Sequence, residues 1–165
     1  MPRVVLFQPE IPPNTGNVAR TCAATGCELH LIEPLGFQLD DRQLKRAGLD
    51  YWPWVQLRCH ADLISFEQHR RSRGGRLVAF SSQVEQPYTS FAFRDDDWLL
   101  QGRESSGLPA ELLAAADARL TVPMPGSVRS GGGVRSLNLS VATAVVLFEA
   151  IRQLGTGISS PAKEA

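Results

Sequence analysis

The sequence predicts an α/β fold, a mostly parallel sheet flanked by helices on both faces. Short apolar runs rich in β-forming residues alternate along the chain with segments of helical pattern, and Gly and Pro separate them. The 165 residues are 43% hydrophobic and 21% charged, which suits one globular domain. We therefore expect a single domain over residues 1–155 and a flexible tail over residues 156–165.

The first elements are a buried strand over residues 4–7 and a helix over residues 15–25. Asn14 is the expected N-cap of this helix, and Gly26 suits the left-handed residue after its end. Further along we expect strands over residues 29–32, 54–57, 77–81, 98–100 and 120–122, and helices over residues 40–48, 61–71, 110–116 and 137–154.

Bulk charge predicts no long-range attraction to a polyanion, because 17 basic and 17 acidic residues cancel. No apolar run approaches the length of a membrane span, and the N-terminus lacks a signal pattern, so we expect no membrane contact. The chain has an odd number of cysteines, Cys22, Cys27 and Cys59, which favours location in a reducing cytoplasm. The histidines His30, His60 and His69 are scattered along the chain, so we expect surface or packing roles for them and no metal site.

Three loops that follow predicted strands are candidates for chemistry, since ligands of such sheets bind beyond the carboxyl ends of the strands. They are PEIPPNTGNVAR, GRESSGLP, and the segment from TVPM to VRSLNLS. Each has a structural alternative: a capped helix with a solvated Arg20, a capped turn, and a surface loop before a core helix. The chain lacks a Walker lysine, a GxGxxG after the first strand and a Gly-x-Ser-x-Gly elbow.

Taken together, in their order and spacing, these loops resemble the three motifs of the SPOUT RNA 2′-O-methyltransferases. The nearest resemblance is to the TrmL-like subgroup and covers nearly the whole chain. It implies a C-terminal trefoil knot and a homodimer whose site the partner subunit completes. It also implies S-adenosyl-L-methionine as cofactor and a tRNA substrate bound through its anticodon stem-loop. The reaction implied is 2′-O-methylation of the wobble nucleotide, cytidine or modified uridine 34, of leucine tRNAs.

The same resemblance assigns site residues. It implies a cofactor pocket formed by Phe80, Gly102, Glu104, Gly107, Val122, Met124, Ser136 and Leu137. Arg20 matches a motif arginine near the reacting hydroxyl that either steers the phosphate or acts as the base. We expect it to steer phosphate, because a guanidinium resists deprotonation. Asn14 and Asn138 are expected to fix Arg20 or the ribose, and Glu104 to hold the mouth of the pocket.

Two features depart from the subgroup pattern. The Gly-rich loop over residues 125–135 is longer and contains VRS twice, so Ser130 competes with Ser136 for the family's serine. Phe148 stands where a tyrosine is expected. It belongs with Val141 and Val145 to an apolar stripe that predicts core or dimer packing.

Two rival functions remain open at this stage. One is the same chemistry on another tRNA nucleotide or on a ribosomal RNA. The other is a non-catalytic RNA-binding module that uses clustered basic residues: Arg42, Lys45, Arg46, Arg70, Arg71 and Arg73.

Overall fold

The computed structural model describes residues 1–39, 51–126 and 132–155. Within them, six strands form one sheet in which every strand pair is parallel. The strands are β1 (Arg3–Phe7), β2 (Glu28–Ile32), β3 (Gln56–His60), β4 (Leu77–Phe80), β5 (Trp98–Gln101) and β6 (Ala118–Leu120). Their spatial order is β3-β2-β1-β5-β4-β6. The predicted parallel α/β architecture is confirmed.

Among the residues described, four α-helices cover the sheet: α1 (Pro12–Thr25), α2 (Leu63–Arg73), α3 (Ala110–Ala115) and α4 (Leu139–Leu154). Alternate residues of each strand face opposite sides. Val4 and Leu6 of β1 pack in one core with α1 and α4. Val5 and Phe7 pack in a second core with Phe66 of α2 and with α3. Both faces of the sheet are therefore buried, as a parallel sheet requires.

The start of α1 differs from the prediction. The helix begins at Pro12, with Ile11 as its N-cap and no capping side-chain hydrogen bond, so the expected Asn14 cap is wrong. Pro12 and Pro13 fit the first turn because its N–H groups have no partner within the helix. Asn14 lies inside that turn, and its side chain bonds to other loops instead. Gly26 ends the helix at φ +70°, as predicted.

Two strand predictions were misplaced. Trp54 ends a 3-10 turn, Trp52–Trp54, and the strand begins only at Gln56. The ladder of β6 ends at Leu120, because the next residue pairs elsewhere. The Thr121 amide donates to the Gln86 carbonyl at 2.8 Å, and the Thr121 carbonyl accepts from the Tyr88 amide at 3.0 Å. The predicted helix over residues 40–48 and the tail over residues 156–165 lie outside the described residues.

The described helices include none that is long and apolar enough to cross a bilayer. The trefoil knot implied by the resemblance stays a prediction. All six strands end at one edge of the sheet, and the three loops singled out in the sequence follow β1, β5 and β6 there.

Candidate active site

A cleft of about 920 Å³ lies at the carboxyl edge of the sheet. Its walls come from the segments after β4, β5 and β6 and from the start of α4, with Ile11 and Asn14 contributed by the loop after β1 and by α1. Its size is that of pockets for nucleotide-sized ligands. The three loops therefore border one cleft.

The loop after β5 is a tight closed turn. The Arg103 amide donates to the Gly107 carbonyl at 3.1 Å, and the Gly107 amide donates to the Arg103 carbonyl at 2.9 Å. Gly107 has φ +70°, and a Cβ on Gly102 would come within 2.3 Å of the Gly107 carbonyl carbon. Both glycines are therefore needed for this backbone path, which forms one wall of the cleft.

The carboxylate of Glu104 fastens this turn to the loop after β1. One oxygen accepts from the Glu10 amide at 2.8 Å, and the other accepts from the Ile11 amide at 3.3 Å and from Asn14 Nδ2 at 3.2 Å. Three donors therefore converge on one side chain. Because these bonds engage both oxygens, Glu104 holds the two loops in register.

The two asparagines continue this connection to the third loop. Asn138 Nδ2 donates to Asn14 Oδ1 at 2.9 Å. Asn138 is also the N-cap of α4, and its Oδ1 accepts from the Ser140 amide at 2.9 Å. A continuous chain of side chains, Glu104 to Asn14 to Asn138, thus ties the three loops together.

A second set of hydrogen bonds between the first two loops was not predicted from the sequence. The carboxylate of Glu10 accepts from the Ser105 amide at 2.9 Å and from its hydroxyl at 2.8 Å. These bonds lower the pKa of Glu10 below its usual value. The sequence held the acidic residue within the first motif, but nothing in it indicated a partner 95 residues away.

An apolar surface and an unsatisfied donor suit the cleft to a nucleoside. Phe80, Val122, Met124 and Leu137 supply apolar lining, and Ser136 lies beside them. Gln101, at the end of β5, is 95% buried, and its Nε2 has no hydrogen-bond partner among the described residues. A buried donor of this kind favours a ligand with an acceptor atom. Gln101 was not predicted from the sequence, although a polar residue at the end of an apolar strand was the available signal.

Arg20 is the one predicted site residue that does not line the cleft. It lies on the exposed surface of α1, and its guanidinium carbon is 5.4 Å from the ring centre of Tyr51. The remaining predicted residues all line the cleft, namely Asn14, Phe80, Gly102, Glu104, Gly107, Val122, Met124, Ser136, Leu137 and Asn138. Ser130 lies outside the described residues, so only Ser136 can be placed.

The basic cluster of the RNA-module alternative is largely paired with carboxylates. Arg70 and Arg71 contact Glu67, and Arg73 forms a two-bond pair with Glu28 at 2.7 and 2.9 Å. Such pairing reduces the positive charge that a phosphate would meet. Arg42, Lys45 and Arg46 lie outside the described residues.

The apolar stripe of α4 is split between core and surface. Val141 is 48% exposed and Phe148 is 54% exposed, whereas Val145 is half-buried. Ile11, just before α1, is 44% exposed, and α1 packs against α4. The two helices therefore present apolar side chains that this chain alone leaves in contact with water.

The fold and the cleft define a methyltransferase of the SPOUT class. The chain belongs to the SpoU rRNA methylase family, whose sequence model matches residues 1–148. The match spans all three loops of the cleft.

Close relatives of the chain share one name, which states an activity. A Burkholderia cenocepacia protein is 49% identical, covers 92% of this chain and 95% of its own length, and is named tRNA (cytidine(34)-2′-O)-methyltransferase. A Yersinia pestis protein of the same name is 45% identical over 94% of this chain and 95% of its own. The chain is therefore an enzyme of the methyltransferase class.

Solved structures resemble the chain throughout. One that concerns 2-OH methylation of C/U34 on tRNA is 53% identical, with a TM-score of 0.86 over 94% of this chain and 97% of its own. An AdoMet-bound rRNA methyltransferase from Sinorhizobium meliloti is 28% identical, with a TM-score of 0.80 over 93% of this chain and 56% of its own.

Proposed function

We propose that this enzyme transfers a methyl group from S-adenosylmethionine to the ribose 2′-hydroxyl of nucleotide 34, the wobble nucleotide, of tRNA, with leucine tRNAs as its substrates. The observation that carries the proposal is the cleft itself, in which Glu104, Asn14 and Asn138 join the three family loops around a nucleoside-sized space. The names of the relatives specify the nucleotide and the position.

The residues of the cleft fit S-adenosylmethionine. Gly102 forms part of the wall with its bare backbone, because a Cβ there would collide with the Gly107 carbonyl carbon. The buried Nε2 of Gln101 is a hydrogen-bond donor without a partner among the described residues. Phe80, Val122 and Leu137 provide the apolar slot that an adenine ring requires. When bound, the cofactor supplies a methyl group made electrophilic by its sulfonium.

The protein's part in the reaction is to position the two reactants. The ribose oxygen must approach the methyl carbon in line and lose its proton, and rigid placement contributes much of such a rate enhancement. Glu104 and Asn14 hold the loops that form the cleft mouth. The amide of Asn138, which bridges Asn14 and the start of α4, places the third loop beside them.

The proposal includes a cytoplasmic homodimer. Exposed Ile11, just before α1, and exposed Val141 and Phe148 of α4 supply apolar surface for a second copy of the chain. Arg20 lies outside the cleft of its own chain and, in this dimer, enters the partner's cleft to steer the phosphate beside the reacting ribose. The C-terminal trefoil knot belongs to the same proposal.

The direct test is transfer of labelled methyl from S-adenosylmethionine to unfractionated tRNA, followed by nucleoside analysis. We expect label in 2′-O-methylated cytidine or uridine at position 34 of leucine tRNAs. Gly102→Ala is the matched inactive control, because its Cβ would collide with the Gly107 carbonyl carbon. Label in ribosomal RNA, or in a methylated base, would contradict the proposal.

The shared site has its own test. Arg20→Ala and Gly102→Ala subunits are each expected to form inactive dimers. If one subunit supplies Arg20 to the other's cleft, mixing the two variants produces some dimers with one intact site and restores up to about a quarter of wild-type activity. This fraction follows if subunits exchange at random and each site works independently. No recovery in mixed dimers, verified by two different tags, would place Arg20 in the cleft of its own chain.

A further inference from the structure

Trp54 is an unusual surface residue. It is 67% exposed, more than any other aromatic side chain of the described residues. The other two tryptophans are better covered, since Trp98 is fully buried and Trp52 is half-buried. An indole on the surface leaves a large apolar face in water, which favours a partner that covers it.

The backbone around Trp54 is held in a fixed shape. The Trp54 amide donates to the Tyr51 carbonyl at 3.0 Å, and the Val55 amide donates to the Trp52 carbonyl at 3.1 Å. Pro53 fixes its own φ in the middle of the turn. The backbone that carries the side chain is therefore constrained, and an indole has only two χ angles to fix on binding.

Tyr51 joins this turn to the helix that carries Arg20. Its hydroxyl donates to the Gly16 carbonyl at 2.9 Å, inside the first half of α1. The same ring lies 5.4 Å below the Arg20 guanidinium. A single buried tyrosine thus positions both the candidate phosphate-binding arginine and the turn that ends at Trp54.

Charge on this surface suits a nucleic acid. Arg20 is the only charged residue of α1, and the Trp52–Trp54 turn has none. The Trp52–Trp54 turn contacts α1, the helix that carries Arg20. An arginine on one of these elements and an exposed aromatic ring on the other suit single-stranded RNA, because the cation meets phosphate and the ring stacks on a base.

We propose that Trp54 stacks on an unpaired base of the RNA substrate while Arg20 engages its backbone, so that the turn and α1 form one RNA-binding surface. The inference rests on the proposed function, since the anticodon loop that carries nucleotide 34 offers unpaired bases. Stacking assigns Trp54 to substrate binding and not to the chemical step.

The test compares Trp54→Ala with Trp54→Phe, which keeps an aromatic face. Loss of one stacked base is expected to raise KM for tRNA at least about fivefold, with kcat within twofold of wild type. Trp54→Phe is expected to restore most of the affinity. Ile64→Ala is the matched control, because Ile64 is 69% exposed but lies on α2, on the opposite face of the sheet.

A fluorescence titration tests the stacking without turnover. Binding of an anticodon stem-loop RNA should quench the tryptophan emission of the wild type, and Trp54→Phe should lose most of that quenching. The inference is overturned if the KM of Trp54→Ala for tRNA stays within twofold of wild type, or if Trp54→Phe keeps the full quenching.

Light scattering distinguishes the stacking of Trp54 on RNA from a contact between subunits. A Trp54→Ala variant that dissociates into monomers would assign Trp54 to an interface between copies and would also overturn the inference. Failure of the proposed function is a separate result. In that case the wild type itself transfers no methyl to tRNA, and the quenching titration is run with the RNA that accepts the label.

Discussion

At the scale of single residues, the site depends on polar side chains that bond to each other across long stretches of sequence. Glu104 and Asn14 are 90 positions apart, and Asn14 and Asn138 are 124 apart. Their residue types and motifs marked them as candidates in the sequence. The bonds between them could not be predicted, because they depend on how three loops approach at the edge of the sheet.

Glu104→Gln tests whether the carboxylate acts by accepting three hydrogen bonds. The amide replaces one acceptor oxygen with a donor group, which must then face an N–H group. Glu104 is half-buried, so an unsatisfied donor there costs about 1 kcal/mol, and we expect kcat/KM to fall about fivefold, together with a lower Tm. Steady-state transfer and thermal unfolding measure the two effects.

Glu85→Gln is the control for Glu104→Gln. It makes the same chemical change at an exposed residue outside the cleft. We expect it to leave both activity and Tm unchanged. Activity of Glu104→Gln within twofold of wild type would remove Glu104 from the connection between the loops.

At the scale of elements, periodicity predicted which segments are strands and helices, while tertiary contacts moved their ends. The strand expected to reach Val122 stops at Leu120 because Thr121 pairs with the segment at Gln86 and Tyr88. The helix expected to begin at Thr15 begins at Pro12, so Asn14 became a site residue instead of a cap. The pairing of Thr121 depends on a distant segment and is not visible to a local pattern, whereas Pro12 and Pro13 are a local signal for the start of α1.

The start of α2 is fixed by a local capping box instead. Asp62 Oδ1 accepts from the Ser65 amide at 2.7 Å, and Ser65 Oγ accepts from the Asp62 amide at 3.2 Å. We expect Asp62→Ala to lower the free energy of unfolding by about 1 kcal/mol in urea titrations. Asp62→Asn keeps the accepting oxygen and should lose much less.

Methyl transfer should be unchanged in both Asp62 variants, because α2 covers the face of the sheet opposite α1 and α4 and supplies no residue to the cleft. Equal destabilisation by Asp62→Ala and Asp62→Asn would show that the cap does not stabilise the helix. A loss of activity at unchanged stability would link α2 to the site.

At the scale of the whole molecule, three histidines that are scattered in sequence meet between the sheet and α2. His30 Nδ1 lies 2.9 Å from His60 Nε2, and the ring of His69 is 5.6 Å from that of His30. His30 and His60 are buried packing residues. Packing was one of the two roles predicted for the histidines, the other being a surface position. The described residues contain no group of three side chains placed to hold a metal ion.

Burial, and secondarily the charges around it, keep this cluster neutral near pH 7. Burial lowers the pKa of His30 to about 4, against an opposing effect of Glu28, and burial also lowers the pKa values of His60 and His69. Arg58 donates to His69 Nδ1 at 2.9 Å, and Arg58 and Arg73 further disfavour a positive charge on His69. Arg3, stacked on Trp98 beside the cluster, adds to this effect.

The cluster therefore predicts a loss of stability in mild acid. As pH falls below about 6.5, histidines of the unfolded chain take up protons that the folded cluster resists, so the free energy of unfolding decreases until the pH reaches the folded pKa. For His30 alone this amounts to about 2 kcal/mol between pH 7 and pH 5. Carboxylates contribute mainly below that range, because their unfolded pKa values lie near 4.

His30→Asn separates this effect from general acid sensitivity. Asparagine keeps a polar group near His60 but cannot take up a proton, so the variant should be less stable than wild type at pH 7 and lose less stability on going to pH 5. Urea unfolding at pH 7, 6 and 5 measures both slopes. Parallel pH profiles for wild type and variant would mean that the acid sensitivity arises outside this cluster.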